Sequence, residues 1–137
     1  MTKQYDVVIL GGGVAGASLA HSLRRQNKTV AVVEDNLFGG TCPNRGCDPK
    51  KILLSGLEIT QLVDDMQGNG ISGRVSVNWP DLMRKKRQYT NPISSATQNS
   101  LAADGVDTYH EHAHFNAEGL VEAGNEQLSA DKFVIAT

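Results

Sequence analysis

Six residues near the start of the chain, Gly11-Gly12-Gly13-Val14-Ala15-Gly16, constrain its fold more than any other stretch. They fit the spacing G-x-G-x-x-G, a weak signal when it stands alone. Here the apolar run Tyr5–Leu10 precedes it. A helical stretch, Gly16–Gln26, follows, with Leu19 and Leu23 four apart on one face, and the β-branched run Thr29–Glu34 comes next. That context predicts a strand, a crossover helix and a second parallel strand. In such a unit Gly11 permits a tight turn, Gly13 lets a pyrophosphate approach the backbone, and Gly16 lets the helix lie close on the sheet. The first helical turn, at Val14 and Ala15, offers free N–H groups and a partial positive charge to phosphate. Glu34 closes the second strand, where a carboxylate accepts hydrogen bonds from both ribose hydroxyls and repels a 2′-phosphate. The pattern suits FAD or NAD and not NADP. The competing reading is a glycine-rich turn beside an exposed glutamate.

Beyond this unit, Asn36–Thr41 reads as a loop and Cys47–Ile59 as a helix packing through Ile52, Leu53, Leu57 and Ile59. Gln67–Gly73, with three glycines, reads as a connector. Trp79-Pro80-Asp81 opens a helical stretch that runs to Ala103, is interrupted at Asn91-Pro92 and ends at Gly105. Val106–His110 is expected as a third parallel strand. Ala113–Phe115, Leu120–Ala123 and Gln127–Leu128 are expected as a small antiparallel meander, and Lys132–Ala136 as another buried strand. The fold class that follows is α/β: a Rossmann-like FAD-binding domain with a parallel sheet, helices and a meander. Because the last expected strand runs into the final residue, the domain is expected to be incomplete at its C-terminus.

Of the 137 residues, 39% are apolar and 20% charged, and the net charge is −2. That is the make-up of an ordinary globular domain and argues for neither a nucleic-acid nor a membrane partner. The basic run Arg84–Arg87 reads as a solvated helix face. With no apolar run long enough to span a bilayer, a cytoplasmic location is expected. Two cysteines, Cys42 and Cys47, stand five residues apart. Two thiols are half of a zinc site, and the four histidines are distant in sequence, so no metal is expected. A close pair of this kind points to redox chemistry; the alternative is two small buried packing residues.

The segment around them, Gly39-Gly-Thr-Cys-Pro-Asn-Arg-Gly-Cys-Asp-Pro-Lys-Lys51, closely resembles the G-G-T-C-x-N-x-G-C-x-P-x-K signature of the class I pyridine nucleotide-disulfide oxidoreductases. Glutathione reductase and dihydrolipoamide dehydrogenase belong to that family. The resemblance extends to the glycine loop, Glu34, His112-Ala113 and the terminal Val134–Thr137. It implies that NAD(P)H reduces FAD and that electrons pass to a Cys42–Cys47 disulfide, then to a small-molecule disulfide. By position it makes Cys42 the interchange thiol, Cys47 the thiol against the flavin, and Lys50 (or Lys51) the cation near the flavin's reactive nitrogen. It places Thr41 at the pyrophosphate, Ala113 at adenine and Thr137 near the cofactor. A helix N-terminus and Lys50 would favour a thiolate.

Family members are much longer than this chain. The NAD(P)H domain and the interface domain that makes the enzyme a homodimer are therefore expected to be absent. The fragment alone is then a non-catalytic flavin-binding piece. An NAD-binding dehydrogenase domain without disulfide chemistry is the other alternative. Val14, His21 and Thr97 stand where glutathione reductases carry Ser, Arg and Tyr, which argues against glutathione as substrate. Asp48 and Arg45 stand on either side of Cys47 with opposing charges, Asp48 disfavouring a thiolate and Arg45 favouring one. His21, His110, His112 and His114 are expected on the surface or on strands.

Overall fold

The computed structural model describes residues 2–137. In chain order the elements are β1 (Thr2–Leu10), α1 (Val14–Arg24), β2 (Val30–Val33), α2 (Thr41–Arg45), α3 (Cys47–Asp65), α4 (Trp79–Thr90), α5 (Ile93–Ala103), β3 (Asp107–Tyr109), β4 (Ala113–Phe115), β5 (Val121–Ala123) and β6 (Glu126–Ile135). The six strands form one sheet in the order β3-β2-β1-β6-β5-β4. β3, β2, β1 and β6 run parallel, whereas β4, β5 and the start of β6 are antiparallel. This is the expected Rossmann-like sheet with its meander.

The central strands are apolar throughout because both faces are covered. On one face Val7, Ile9, Val30 and Val32 pack against Ala17 and Ala20 of α1 and Leu101 of α5. On the other, Val8, Leu10, Ala31 and Val33 pack against Val121, Ala123 and Leu128 of the meander. Val8, Ile9, Ala31 and Val32 have no solvent exposure. Burying one of these Val or Ile side chains stabilises the fold by roughly 1.5–3 kcal/mol.

Four differences from the sequence reading have physical causes. β1 begins at Thr2 although Thr2-Lys3-Gln4 is polar, because β6 pairs with it from Thr2 onward. Gln127–Leu128 and Lys132–Ala136 are not two strands. They belong to the single strand β6, whose first residues face β5 while the rest runs beside β1. The far part of β6 is also not buried. β5 opposes it only over Glu126–Leu128, and Ile135 is 70% exposed. Finally, α3 continues to Asp65, and the loop before it contains the short helix α2.

The break at Asn91-Pro92 is real and separates α4 from α5. α4 starts as its sequence implies: the Asn78 side chain accepts a hydrogen bond from the Asp81 N–H, with Pro80 in the first turn. Among the described residues no helix is long and apolar enough to cross a membrane.

Candidate functional site

The carboxyl ends of β1 and β2 open into a cleft of about 370 Å³. In open α/β sheets ligands bind at such a crevice. Gly11, Gly13, Glu34, Thr41, Ala113 and Thr137, all singled out from the sequence, line it together. They come from five separate segments, so the fold converges them.

The glycine loop is shaped by close backbone approach. A Cβ on Gly16 would sit 1.9 Å from the Gly11 carbonyl oxygen. Gly16 is therefore a packing residue beneath the cleft. Val14 is 60% exposed and Ala15 is exposed; both lie on the first turn of α1 outside the cleft lining. Gly39 and Gly40 press against this loop from the far side. The Gly39 N–H donates to the Gly12 carbonyl at 2.8 Å, and a Cβ on Gly40 would lie 2.8 Å from the Gly13 Cα. Buried Asn44 holds them there, its amide donating to the carbonyls of Phe38 at 3.0 Å and Gly40 at 2.8 Å.

These groups fit the pyrophosphate and ribose of a dinucleotide. α1 is capped at Gly13 with no side-chain hydrogen bond and has no acidic residue in its first turn, so its N–H donors are open to an anion. The two Glu34 oxygens accept the N–H groups of Gly12 and Asn36, each at 2.8 Å. A carboxylate has about four acceptor positions, so Glu34 retains capacity for sugar hydroxyls.

The cysteines sit at the junction of α2 and α3. Cys42 is in the first turn of α2 and Cys47 opens α3, with Gly46 between them. A Cβ on Gly46 would lie 3.0 Å from the Thr41 carbonyl and 3.2 Å from the Cys42 Cα, so the break between the helices is tight. It brings the two thiols together: Cys42 and Cys47 are both free, and Cys47 is the strongest influence on the Cys42 thiol. Cys42 is partly buried and Cys47 exposed. Cys47 and then burial push the Cys42 thiol above its ordinary value, and the Asp48 carboxylate adds to the rise. For Cys42, then, the expected bias toward thiolate is reversed in this dithiol state.

Lys50 does not line the glycine-loop cleft. It lines an adjoining apolar groove with Pro49, Leu53, Trp79 and Met83, and Arg45 borders both hollows. Lys51 lines neither.

Sequence reading gave no role to three residues placed here. His112, expected only as a marker beside Ala113, lines the cleft. Asn44 carried a signal inside the cysteine motif. Tyr89 carried none: forty-one residues from Asp48, its hydroxyl donates to the Asp48 carboxylate at 2.7 Å. Two residues noted for their departure from glutathione reductases are engaged in packing. His21 pairs with Asp104 at 2.6 Å, tying α1 to the end of α5, and the Thr97 hydroxyl donates to the Ile93 carbonyl. His110 packs edge-on against Phe38, and His114 pairs with Glu122.

Residues 5–137 match the family model described as pyridine nucleotide-disulphide oxidoreductase. The chain is 29% identical to a dihydrolipoyl dehydrogenase of Acholeplasma laidlawii, aligning over 100% of itself and 41% of that protein. It is 31% identical to a glutathione reductase of Nostoc sp., aligning over 99% of itself and 30% of that protein. The chain thus spans less than half the length of these curated relatives. With the match covering nearly every residue, the chain belongs to the pyridine nucleotide-disulphide oxidoreductase family.

Proposed function

We propose that this chain is the flavin-binding, cysteine-bearing part of a disulfide reductase that takes electrons from NAD(P)H. The observation that carries the reading is the placement of Cys42 and Cys47 on either side of the tight break at Gly46, next to a cleft lined by the glycine loop and Glu34.

Gly11, Gly13 and the open N-terminus of α1 would hold the FAD pyrophosphate, with Thr41 beside it. Glu34 would hold the ribose, Ala113 the adenine, and Thr137 would close the cleft. When bound, FAD supplies the path by which a hydride's two electrons reach the cysteine disulfide. In the reduced pair, the Cys42 thiolate attacks one sulfur of the substrate disulfide and expels the other half as a thiolate. Cys47 then attacks Cys42 of the mixed disulfide and releases the second half. The two cysteines end oxidised and the substrate becomes two thiols. Lys50, on the groove that meets the cleft at Arg45, is favoured over Lys51 as the cation near the flavin.

The substrate is a small-molecule disulfide. The pairing of His21 with Asp104 and the packing of Thr97 leave little for glutathione at those positions. The full protein acts as a homodimer. α3 leaves Leu57, Ile59 and Leu62 exposed, apolar surface for a second copy to cover.

The test is turnover by the full-length protein. Cys42→Ser and Cys47→Ser should each abolish disulfide reduction while NAD(P)H oxidation by ferricyanide continues. Disulfide turnover that survives either substitution would remove the cysteine pair from the reaction.

A further inference from the structure

We propose that Asp48, tied across the α3–α4 interface by Tyr89, is a positioning residue for the cysteine pair that acts on Cys42 through the charge of its carboxylate. The inference rests on the reading of Cys42 and Cys47 as the redox pair.

The geometry is a chain of contacts between three helices. Asp48 follows Cys47 directly in the first turn of α3, and the Tyr89 hydroxyl reaches from the last turn of α4 to Asp48 Oδ2 at 2.7 Å. α2, which carries Cys42, packs against α3, α4 and α5. Asp48 is half-buried, and among the described residues it forms no ion pair. Its hydrogen bond to a neutral phenol therefore fixes the carboxylate's direction without cancelling its charge. The carboxylate raises the Tyr89 hydroxyl, and its field reaches Cys42 in the same sense.

The other groups around Cys42 do not supply this effect. α5 carries no titratable side chain between Ile93 and Ala103. The cations on the packed helices are Lys50 and Lys51 on α3, Arg84, Lys85, Lys86 and Arg87 on α4, and Arg45 on α2 itself. Arg45, Lys50 and Lys86 line the apolar groove, and Arg84 pairs with Asp81. Glu58, Asp64 and Asp65 lie farther along α3. Asp48 and Cys47 remain as the negative or potentially negative neighbours of Cys42, with the Tyr89 hydroxyl beside them.

A carboxylate near a thiol disfavours the thiolate. Asp48 thereby adds to Cys47 and burial in disfavouring the Cys42 thiolate. It shifts the onset of interchange to higher pH.

The experiment follows alkylation of the reduced, flavin-loaded full-length protein by iodoacetamide as a function of pH. Trypsin separates the two thiols, since Thr29–Arg45 carries Cys42 and Gly46–Lys50 carries Cys47. Asp48→Asn should lower the Cys42 midpoint by about one pH unit, the size of a single near-charge effect. Its alkylation rate at pH 7 should rise only about threefold, because a more acidic thiolate is a weaker nucleophile. Tyr89→Phe leaves the charge and should hold the midpoint at or above that of the unmodified protein. Asp48→Glu should restore a raised midpoint, and the double variant should behave as Asp48→Asn. A midpoint unmoved or raised by Asp48→Asn overturns the proposal. So does Tyr89→Phe lowering it as Asp48→Asn does, which would mean loosened packing and no charge effect. Alkylation requires no turnover, so this result stands apart from the ferricyanide assay that tests the redox reading itself.

Discussion

The surroundings of the two ends of β1 handle polar groups in opposite ways. In the amino-terminal half they satisfy one another. Tyr5 Oη donates to Asp107 Oδ2 at 2.6 Å and lies 2.7 Å from Tyr109 Oη, while Lys3 bonds Tyr109 and Glu126. Asp6 accepts from the Thr29 N–H, the Thr29 hydroxyl and Lys28. Past the carboxyl end of the strand, the first turn of α1 has no cap, and Glu34 keeps acceptor capacity facing a cleft. A polar network closed on itself stabilises a fold, whereas open donors and acceptors at a sheet's carboxyl end are free to hold a ligand. The difference separates structural from functional polarity at the two ends of a single strand.

The steepest test of that division is Gly16→Ala. The added Cβ would meet the Gly11 carbonyl oxygen at 1.9 Å, and backbone on both sides leaves no flexible atom to yield. A loss of about 3 kcal/mol of stability is expected, read as a drop in the urea midpoint with loss of bound flavin. If the variant is as stable as the parent, the loop is not held by close packing and the comparison fails at its functional end.

A smaller effect is expected from Glu34→Gln, which separates ligand binding from loop packing. The amide can accept from only one of the Gly12 and Asn36 N–H groups and turns its NH₂ toward the other. Stability should fall by about 1 kcal/mol. Flavin affinity, measured by fluorescence quenching, should fall roughly tenfold through loss of charge-assisted bonds to the ribose. Unchanged affinity would confine Glu34 to the structural role that Asp6 plays at the other end.

How legible each region was in the sequence follows from the same physics. The glycine loop and the parallel core were readable because sterics and burial admit few residue types there, and the cysteine motif through its resemblance to a family signature. Gly16 and the Val30–Val33 run are cases in which almost nothing else fits. The α2 turn was not legible, since Thr-Cys-Pro-Asn-Arg has little helical propensity and is held by Asn44 bonding back to Phe38 and Gly40. Nor was the fusion of Gln127–Leu128 with Lys132–Ala136 into one strand. Ser129-Ala130-Asp131 has no strand-like pattern of its own and is extended because it lies beside β1. Tyr89 escaped notice because its partner is set by helix packing across forty-one residues, which no local spacing encodes.

The gentlest test lies at the amino-terminal half. Asp6 is held at about 2, first by the Thr29 N–H, then by the Thr29 hydroxyl and Lys28, against an ordinary value of 3.8. A lowered value means that the folded state prefers the carboxylate. Its contribution is therefore complete above 3.8 and is lost as pH falls through about 2. Asp6→Asn should lower the urea midpoint slightly at pH 7, and the gap between the two proteins should narrow between pH 3.8 and about 2 until the curves meet. A gap that persists at pH 2 would mean that Asp6 acts through shape and not charge. The closed network would then owe its stability to packing, and the contrast with Glu34 would rest on geometry alone.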